Sequence, residues 1–312
     1  MAAHSQNNTS STRPRARHSY AQPKARPWAA LSAIAVCSVA LSACMAFGNP
    51  VLWTASDQPP VSDAARPGAS GQTDGGVPEK QNGTAPTEEG AVIGNYQAIS
   101  QNSDENRAEN IRLAAEAIDG YVIEPGATFS FNAVVGDTGS DSRYRVAAII
   151  SDEATVEGRG GGICQVSTAL YVAALKGDLD IIERHAHTVA PDYAPIGLDA
   201  TLSYGQLDLR IRNSKDAPVV IHAKAVGQTV DVSLISAPLP AGTTIDATSR
   251  ITDRYEAADD YGSPAQYYVA ESFRVFYEDG VKTSSVLLST DIYRVPENAT
   301  VILAEGSVDP SK

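Results

Sequence analysis

Three consecutive glycines, Gly160, Gly161 and Gly162, stand just ahead of Cys164, and two histidines, His185 and His187, follow further along the same stretch. No other part of the chain restricts local geometry so tightly. A glycine run lets the backbone approach a neighbouring strand or a ligand with no Cβ in the way. A cysteine just after such a loop falls in the first turn of a helix. There the unpaired N–H groups and the helix dipole favour a thiolate over a thiol. The pattern fits a cysteine nucleophile with a histidine partner.

The phase of the residues predicts the surroundings. Cys164, Thr168, Tyr171 and Leu175 fall on one helix face, and Val166, Ala169, Leu170 and Ala173 on the opposite one. A helix apolar on two sides is central and mostly buried. Lys176-Gly177-Asp178 ends it, with the cation and the glycine where a C-terminus favours them. The run Leu179 to His187 then reads as a strand, with Ile181, Glu183, His185 and His187 on one face. The expected fold is α+β, with a central Cys-bearing helix packed on a mainly antiparallel sheet and a C-terminal β extension. Cysteine at a helix start with histidine on a sheet is also the plan of papain-like and transglutaminase-like enzymes, an analogy of fold that proves no chemistry.

Charge and compartment narrow the partners. Of the 24 Lys and Arg, five (Arg13, Arg15, Arg17, Lys24, Arg26) lie in residues 1–27, which hold no acid, so the other 19 face all 37 acidic residues. An acidic body argues against nucleic acid and suits an amine or another cationic partner. The basic N-terminus runs into an apolar segment from Trp28 to Ala43, a targeting element to be set apart from the fold. It ends Leu41-Ser42-Ala43-Cys44, which resembles a lipobox with Cys44 as the lipidated first mature residue. The other reading is an uncleaved anchor from Trp28 to Gly48. In both, the protein is extracytoplasmic and held at the outer face of a bacterial cytoplasmic membrane. Cys37 and Cys44 belong to this segment, so Cys164 has no disulfide partner. The plain alternative is that Cys164 is a small buried hydrophobe.

The rest of the chain divides by composition. Residues 1–43 read as the signal and lipobox, 44–90 as a disordered polar linker, 91–240 as the main domain and 241–312 as a small β extension. A first helix is expected after Ser103 as N-cap, with Ile111, Ala114, Ala115 and Ile118 as its apolar stripe. Strands are expected at Tyr121–Ile123, Thr128–Phe131 and Arg145–Ile150. A hairpin pairs Val219–Ala225 with Thr229–Ile235 around Gly227. A long loop from Pro191 carries Asp192, Tyr193 and Asp199. The extension is expected to hold strands at Ala265–Tyr277, Val281–Leu288 and Thr300–Ala304, and it is rich in tyrosine.

The run Gly160-Gly161-Gly162-Ile163-Cys164-Gln165-Val166-Ser167-Thr168, followed by Glu183-Arg184-His185 and His187, resembles the VanW family. Asn110-Ile111, Pro125-Gly126, Phe129-Ser130-Phe131-Asn132, Val135-Gly136, Asp199-Ala200-Thr201, Tyr204-Gly205 and Leu207-Asp208 extend the resemblance. Ala186, Thr188 and Leu198 depart from it, at positions where the family usually has proline, serine and a basic residue. The resemblance implies a cell-wall protein related to cysteine-dependent L,D-transpeptidases and to glycopeptide resistance, acting on peptidoglycan stem peptides. Cys164 matches the family cysteine and is the expected nucleophile. His185 or His187 is the expected base, with the other histidine or Asp199 orienting it. Backbone N–H groups from Ile163 to Gln165 are the expected oxyanion donors. Gly161, Gly162, Ile163, Gln165, Tyr204 and Asp208 are the expected substrate-binding residues. No cofactor is called for. Two rival readings stand beside the enzyme. One is a non-catalytic module binding peptidoglycan or a partner. The other is a metal site using Cys164, His185, His187 and Asp199.

Overall fold

The computed structural model describes residues 90–101, 104–151, 154–259, 262–296 and 301–304. The chain divides into two units, 1–70 and 71–312, and every described residue belongs to the second. The signal segment, Cys44 and all of the expected linker before Gly90 lie outside the described residues. Among the described residues no helix is long and apolar enough to cross a membrane.

The first described element is strand β1 (Ala91–Ile99), and helix α1 (Glu105–Ile118) is the next. Ser103 lies outside the described residues, and the cap is Asp104, whose carboxylate accepts from the N–H groups of Asn106 and Arg107. This satisfies two of the free donors at the helix start and places negative charge on the positive end of the dipole. The apolar stripe Ile111, Ala114, Ala115 and Ile118 is buried as its spacing predicts, and Arg107 and Asn110 are buried with it.

Two short strands follow, β2 (Val122–Ile123) and β3 (Thr128–Ser130). The strand expected to run through Phe131 stops at Ser130, where helix α2 (Phe131–Val135) begins. The Ser130 hydroxyl accepts from Ala133 N, and the Asp208 carboxylate accepts from Asn132 N at 2.9 Å. Two acceptors at consecutive free N–H groups turn a strand-like sequence into a helical turn. Strands β4 (Val146–Ser151) and β5 (Ala154–Arg159) form an antiparallel hairpin, so Glu157 and Gly158 are strand residues rather than loop.

The hairpin delivers the chain into helix α3 (Ile163–Lys176). Of its residues from Ile163 to Leu175, all but Cys164 are buried. Strand β6 (Asp180–Glu183) follows and ends sooner than expected. Its pairing shifts register between Ile181 and Glu183, Arg184 turns inward, and His185 keeps only an isolated bridge to Thr201. Ile181, Glu183, His185 and His187 therefore share no continuous strand face. The alternating run around Leu209 pairs only as β7 (Arg210–Arg212). The hairpin of β8 (Val219–Val226) and β9 (Thr229–Ser236) forms where expected.

The extension is a meander of three long strands, β10 (Thr243–Ala258), β11 (Pro264–Glu278) and β12 (Val281–Val295). The first was not anticipated as one strand, and the third continues well past Leu288. Residues 301–304 carry no strand, and Thr300 lies outside the described residues. The named strands pair antiparallel, in the orders β1-β9-β8-β2, β10-β11-β12, β3-β7-β6 and β4-β5. The class is α+β, and the named elements are mostly antiparallel strands. One apolar core joins α1, α3 and the first sheet through residues such as Ile118, Leu170, Leu175, Val232 and Leu234. A smaller cluster of Ile196, Ile251, Ala270 and Tyr293 joins the extension to the loop after β6.

Candidate functional site

The glycines place Cys164 by packing. A Cβ on Gly161 would collide with the carbonyl oxygen of Ala148, so only glycine lets the turn lie against β4. Gly162 is the N-cap of α3 with φ 106°, left-handed backbone that disfavours a side chain. Both residues were expected to meet substrate; the structure gives them to the joint between hairpin, α1 and α3. Cys164 is then the second residue of α3. Of the three expected oxyanion donors, Ile163 N–H donates to Gly160 O at 3.3 Å and Gln165 N–H to Gly162 O at 3.0 Å. Among the described residues the Cys164 N–H has no such partner.

His187 and Asp199 meet Cys164 from the irregular segment after β6. Asp199 Oδ2 accepts from the His187 backbone N–H at 2.7 Å and lies 2.6 Å from His187 Nδ1. The ring is thereby fixed, and it and the Cys164 thiol stand where each shifts the pKa of the other. Tyr193 OH lies 3.4 Å from Nε2. The thiol also meets the Leu202 N–H and, at 3.8 Å, the Thr201 hydroxyl. Asp199 is fully buried and His187 nearly so. Around Asp199 Oδ1 stand the Tyr293 hydroxyl at 2.6 Å and the Arg184 guanidinium at 3.1 Å.

These contacts set the charges. Burial favours the neutral thiol of Cys164, but the hydrogen bond and charge of His187, with Leu202 N–H and Thr201, outweigh it and lower the pKa. Burial likewise opposes the imidazolium of His187, and the hydrogen bonds and charges of Asp199 and Cys164 overcome it and raise the pKa to about 9. Burial would raise Asp199, yet the His187 bond, the charges of His187 and Arg184 and the Tyr293 hydroxyl bring it down to about 2. The arrangement favours a thiolate–imidazolium pair backed by a carboxylate. A nucleophile bonded to a base, itself oriented by a third group, is the geometry that nucleophilic catalysis uses.

His185 stands apart from this line. Its Nε2 lies 3.0 Å from Glu183 Oε1, and its side chain is 37% exposed. Gln165 is turned into the core: its amide donates to Ala98 O and Gln228 O and accepts from Arg107 at 2.8 Å. Asp208 is committed to Ser130 and Asn132 at the start of α2. Neither side chain is free to meet a substrate. Cys164, Ile163 and Tyr204 do line one pocket of about 340 Å³, together with Asn132, Arg159 and Leu202. Tyr204 is 56% exposed there. His222 is exposed beside Asp119. Among the described residues no group of three or more His, Cys, Asp and Glu is placed to hold a metal ion.

Several contributors escaped the sequence reading. Arg184 sits between two residues of the quoted motif, and its position beside His185 was the available signal. Tyr193 and Asn132 were in view without a role. Tyr293 was one tyrosine among many, and nothing local marks it as the donor to Asp199.

The comparisons agree with this organisation. Residues 106–235 match the family model described as VanW like protein. The chain is 42% identical over 144 residues to the uncharacterized protein YoaR of Bacillus subtilis, covering 46% of this chain and 48% of that one. It is 38% identical over 117 residues to the vancomycin B-type resistance protein VanW of Enterococcus faecalis, covering 36% and 42%. The chain thus spans about half the length of these relatives. No solved structure matches it. Cys164, His187 and Asp199 all fall within the residues that are similar to this family model.

Proposed function

We propose that this protein is an extracytoplasmic cysteine acyltransferase of the L,D-transpeptidase kind, acting on peptidoglycan stem peptides and connected with glycopeptide resistance. The observation that carries the reading is the His187 ring, pinned by Asp199 at 2.6 Å on Nδ1 and standing where it lowers the pKa of the Cys164 thiol. The Cys164 thiolate attacks a peptide carbonyl carbon, and the oxyanion forms beside the Cys164 N–H at the positive end of α3. The C–N bond breaks, the departing amine takes the proton of His187, and a thioester remains. An amine of a second stem attacks the thioester. His187 takes the proton of the attacking amine, the thiolate leaves, and a new amide is made. Asp199 keeps the ring oriented and its charge compensated throughout.

Cys164 at a helix start with a buried histidine beside it is an analogy to papain-like and transglutaminase-like enzymes, although His187 stands in an irregular segment and not on a strand. The relative named as a vancomycin resistance protein supports the cell-wall context. Within this reading Cys44 carries the lipid, or residues 28–48 the anchor, that holds the domain near its substrate. The test is the intact mass of the protein after mixing with tetrapeptide stems. A thioester adduct at Cys164 is expected, absent in Cys164→Ala. An unmodified wild type, together with undiminished cellular function in Cys164→Ala, would refute catalysis and leave a binding module.

A further inference from the structure

Part of the support of Asp199 comes from outside the matched residues 106–235. Arg184 is the intermediary: its Nε donates to Asp199 O at 2.6 Å, and one terminal nitrogen lies 3.1 Å from Asp199 Oδ1. The other terminal nitrogen donates to Asp291 Oδ2 at 2.5 Å and to the Ser289 hydroxyl at 3.2 Å. The guanidinium also lies over the ring of Tyr171, 5.3 Å from its centroid. The Arg184 side chain is 6% exposed and that of Asp291 16%. Ser289, Asp291 and Tyr293 all stand on β12.

We propose that Asp291 is a positioning residue for the Cys164–His187 pair, acting through Arg184, and that β12 is therefore part of the site. This rests on the acyltransferase reading of Cys164. The reasoning is one of charge balance. A buried arginine facing Asp199 alone would cancel the field that Asp199 exerts on His187. Asp291 takes up the far side of the same guanidinium, so Asp199 keeps an effective negative charge toward the imidazolium. The groups facing His187 directly are Asp199, the Cys164 thiol and Tyr193. Behind Asp199 stand Arg184 and Tyr293; behind Tyr193 stand Arg107 and Asp192. Arg274 of β11 acts on Tyr171 and not on this line. Among the described residues Asp291 is the one acid that meets Arg184 from the side away from Asp199.

The experiment is an NMR titration of the His187 imidazole in the full-length chain, its resonance assigned by loss in His187→Gln. Wild type should titrate near 9. Asp291→Asn preserves shape and removes a charge, and should lower the midpoint by about half a unit or more. Asp291→Glu should leave it near the wild-type value. Ser289→Asp adds a charge at the same guanidinium and should raise it, which carries the test if Asp291→Asn does not fold. A raised wild-type midpoint that neither charge change moves would overturn the role of Asp291 and leave the acyltransferase reading intact. A wild-type midpoint at the ordinary histidine value would remove that reading, and this inference with it. A shift as large in Asp291→Glu as in Asp291→Asn would show packing rather than charge and would also overturn the proposal.

Discussion

Asp199→Asn is the substitution that best tests the charge logic of the site. The rise of His187 from the ordinary 6.5 to about 9 corresponds to about 3 kcal/mol in favour of the imidazolium. That gain is made against burial, and the Asp199 hydrogen bond is the foremost contribution to it. Asparagine can still accept the backbone N–H of His187, but it carries no charge. If it removes about 2 kcal/mol, the thiolate–imidazolium pair loses roughly thirtyfold in population against the neutral pair. Cys164 then loses its counter-cation in a half-buried place, and its thiol is pushed back up. An ordinary thiol is only about 3% ionised at pH 7. The assay is the rate of iodoacetamide alkylation at pH 7, read by peptide mass at Cys164 so that Cys37 and Cys44 do not contribute. The expected fall is between about tenfold and thirtyfold. Thermal unfolding is followed alongside, since leaving Arg184 short of one partner destabilises the fold. A folded variant alkylated within about twofold of wild type would show that Asp199 does not sustain the pair.

Three further outcomes are expected. His187→Ala should abolish the fast alkylation of Cys164, while His185→Ala should leave it within about twofold, because the His185 side chain bonds Glu183 and is partly exposed. Gly161→Val should fail in folding before it fails in chemistry, since its Cβ would strike backbone at Ala148; a stable but inactive variant would contradict this packing role. Asp199, held at about 2 against an ordinary value near 3.9, contributes about 2 kcal/mol above pH 4 that is lost as pH falls toward 2. Urea denaturation across that range should show the loss in wild type and not in Asp199→Asn. On the alkaline side His187 loses its contribution between 6.5 and about 9, while Cys164, lowered, gains over the same direction, so the two partly offset.

What was legible in the sequence was what repeats or caps locally. The phase of residues 163–176 predicts a helix with apolar faces on opposite sides, and α3 is buried nearly all round. The Gly227 hairpin follows from two alternating runs flanking a turn residue. Alternation misled after Glu183. Period two places His185 with His187, but a register shift and the inward turn of Arg184 break the period there. Burying one charged residue in an ion pair overrides a pattern that assumes every second side chain points the same way. Gln165 and Asp208 misled for a different reason. They are polar residues beside the candidate cysteine or within the quoted motif, and polarity alone does not distinguish a substrate contact from a buried amide or a helix cap.

The extension shows the limit more sharply. Tyr293 and Asp291 lie 94 and 92 positions beyond Asp199, and no local period links them to the cysteine. Their roles depend on two facts that only packing supplies. The cluster of Ile196, Ile251, Ala270 and Tyr293 fixes β12 against the loop that carries Asp199. Arg184, pointing inward from the end of β6, then finds carboxylates on both sides. A buried cation between two acids is stable only while both are present, since removing either partner leaves charge uncompensated in a low-dielectric interior. The extension and the catalytic line are for that reason coupled through stability as well as through charge. A chain cut after residue 240 would lose Asp291 and Tyr293 together and leave Arg184 with Asp199 alone. It should therefore show both a lower melting temperature and a Cys164 that alkylates at the rate of an ordinary thiol. A truncated domain that kept the wild-type alkylation rate would show that residues 106–235 suffice, and that β12 merely covers the site.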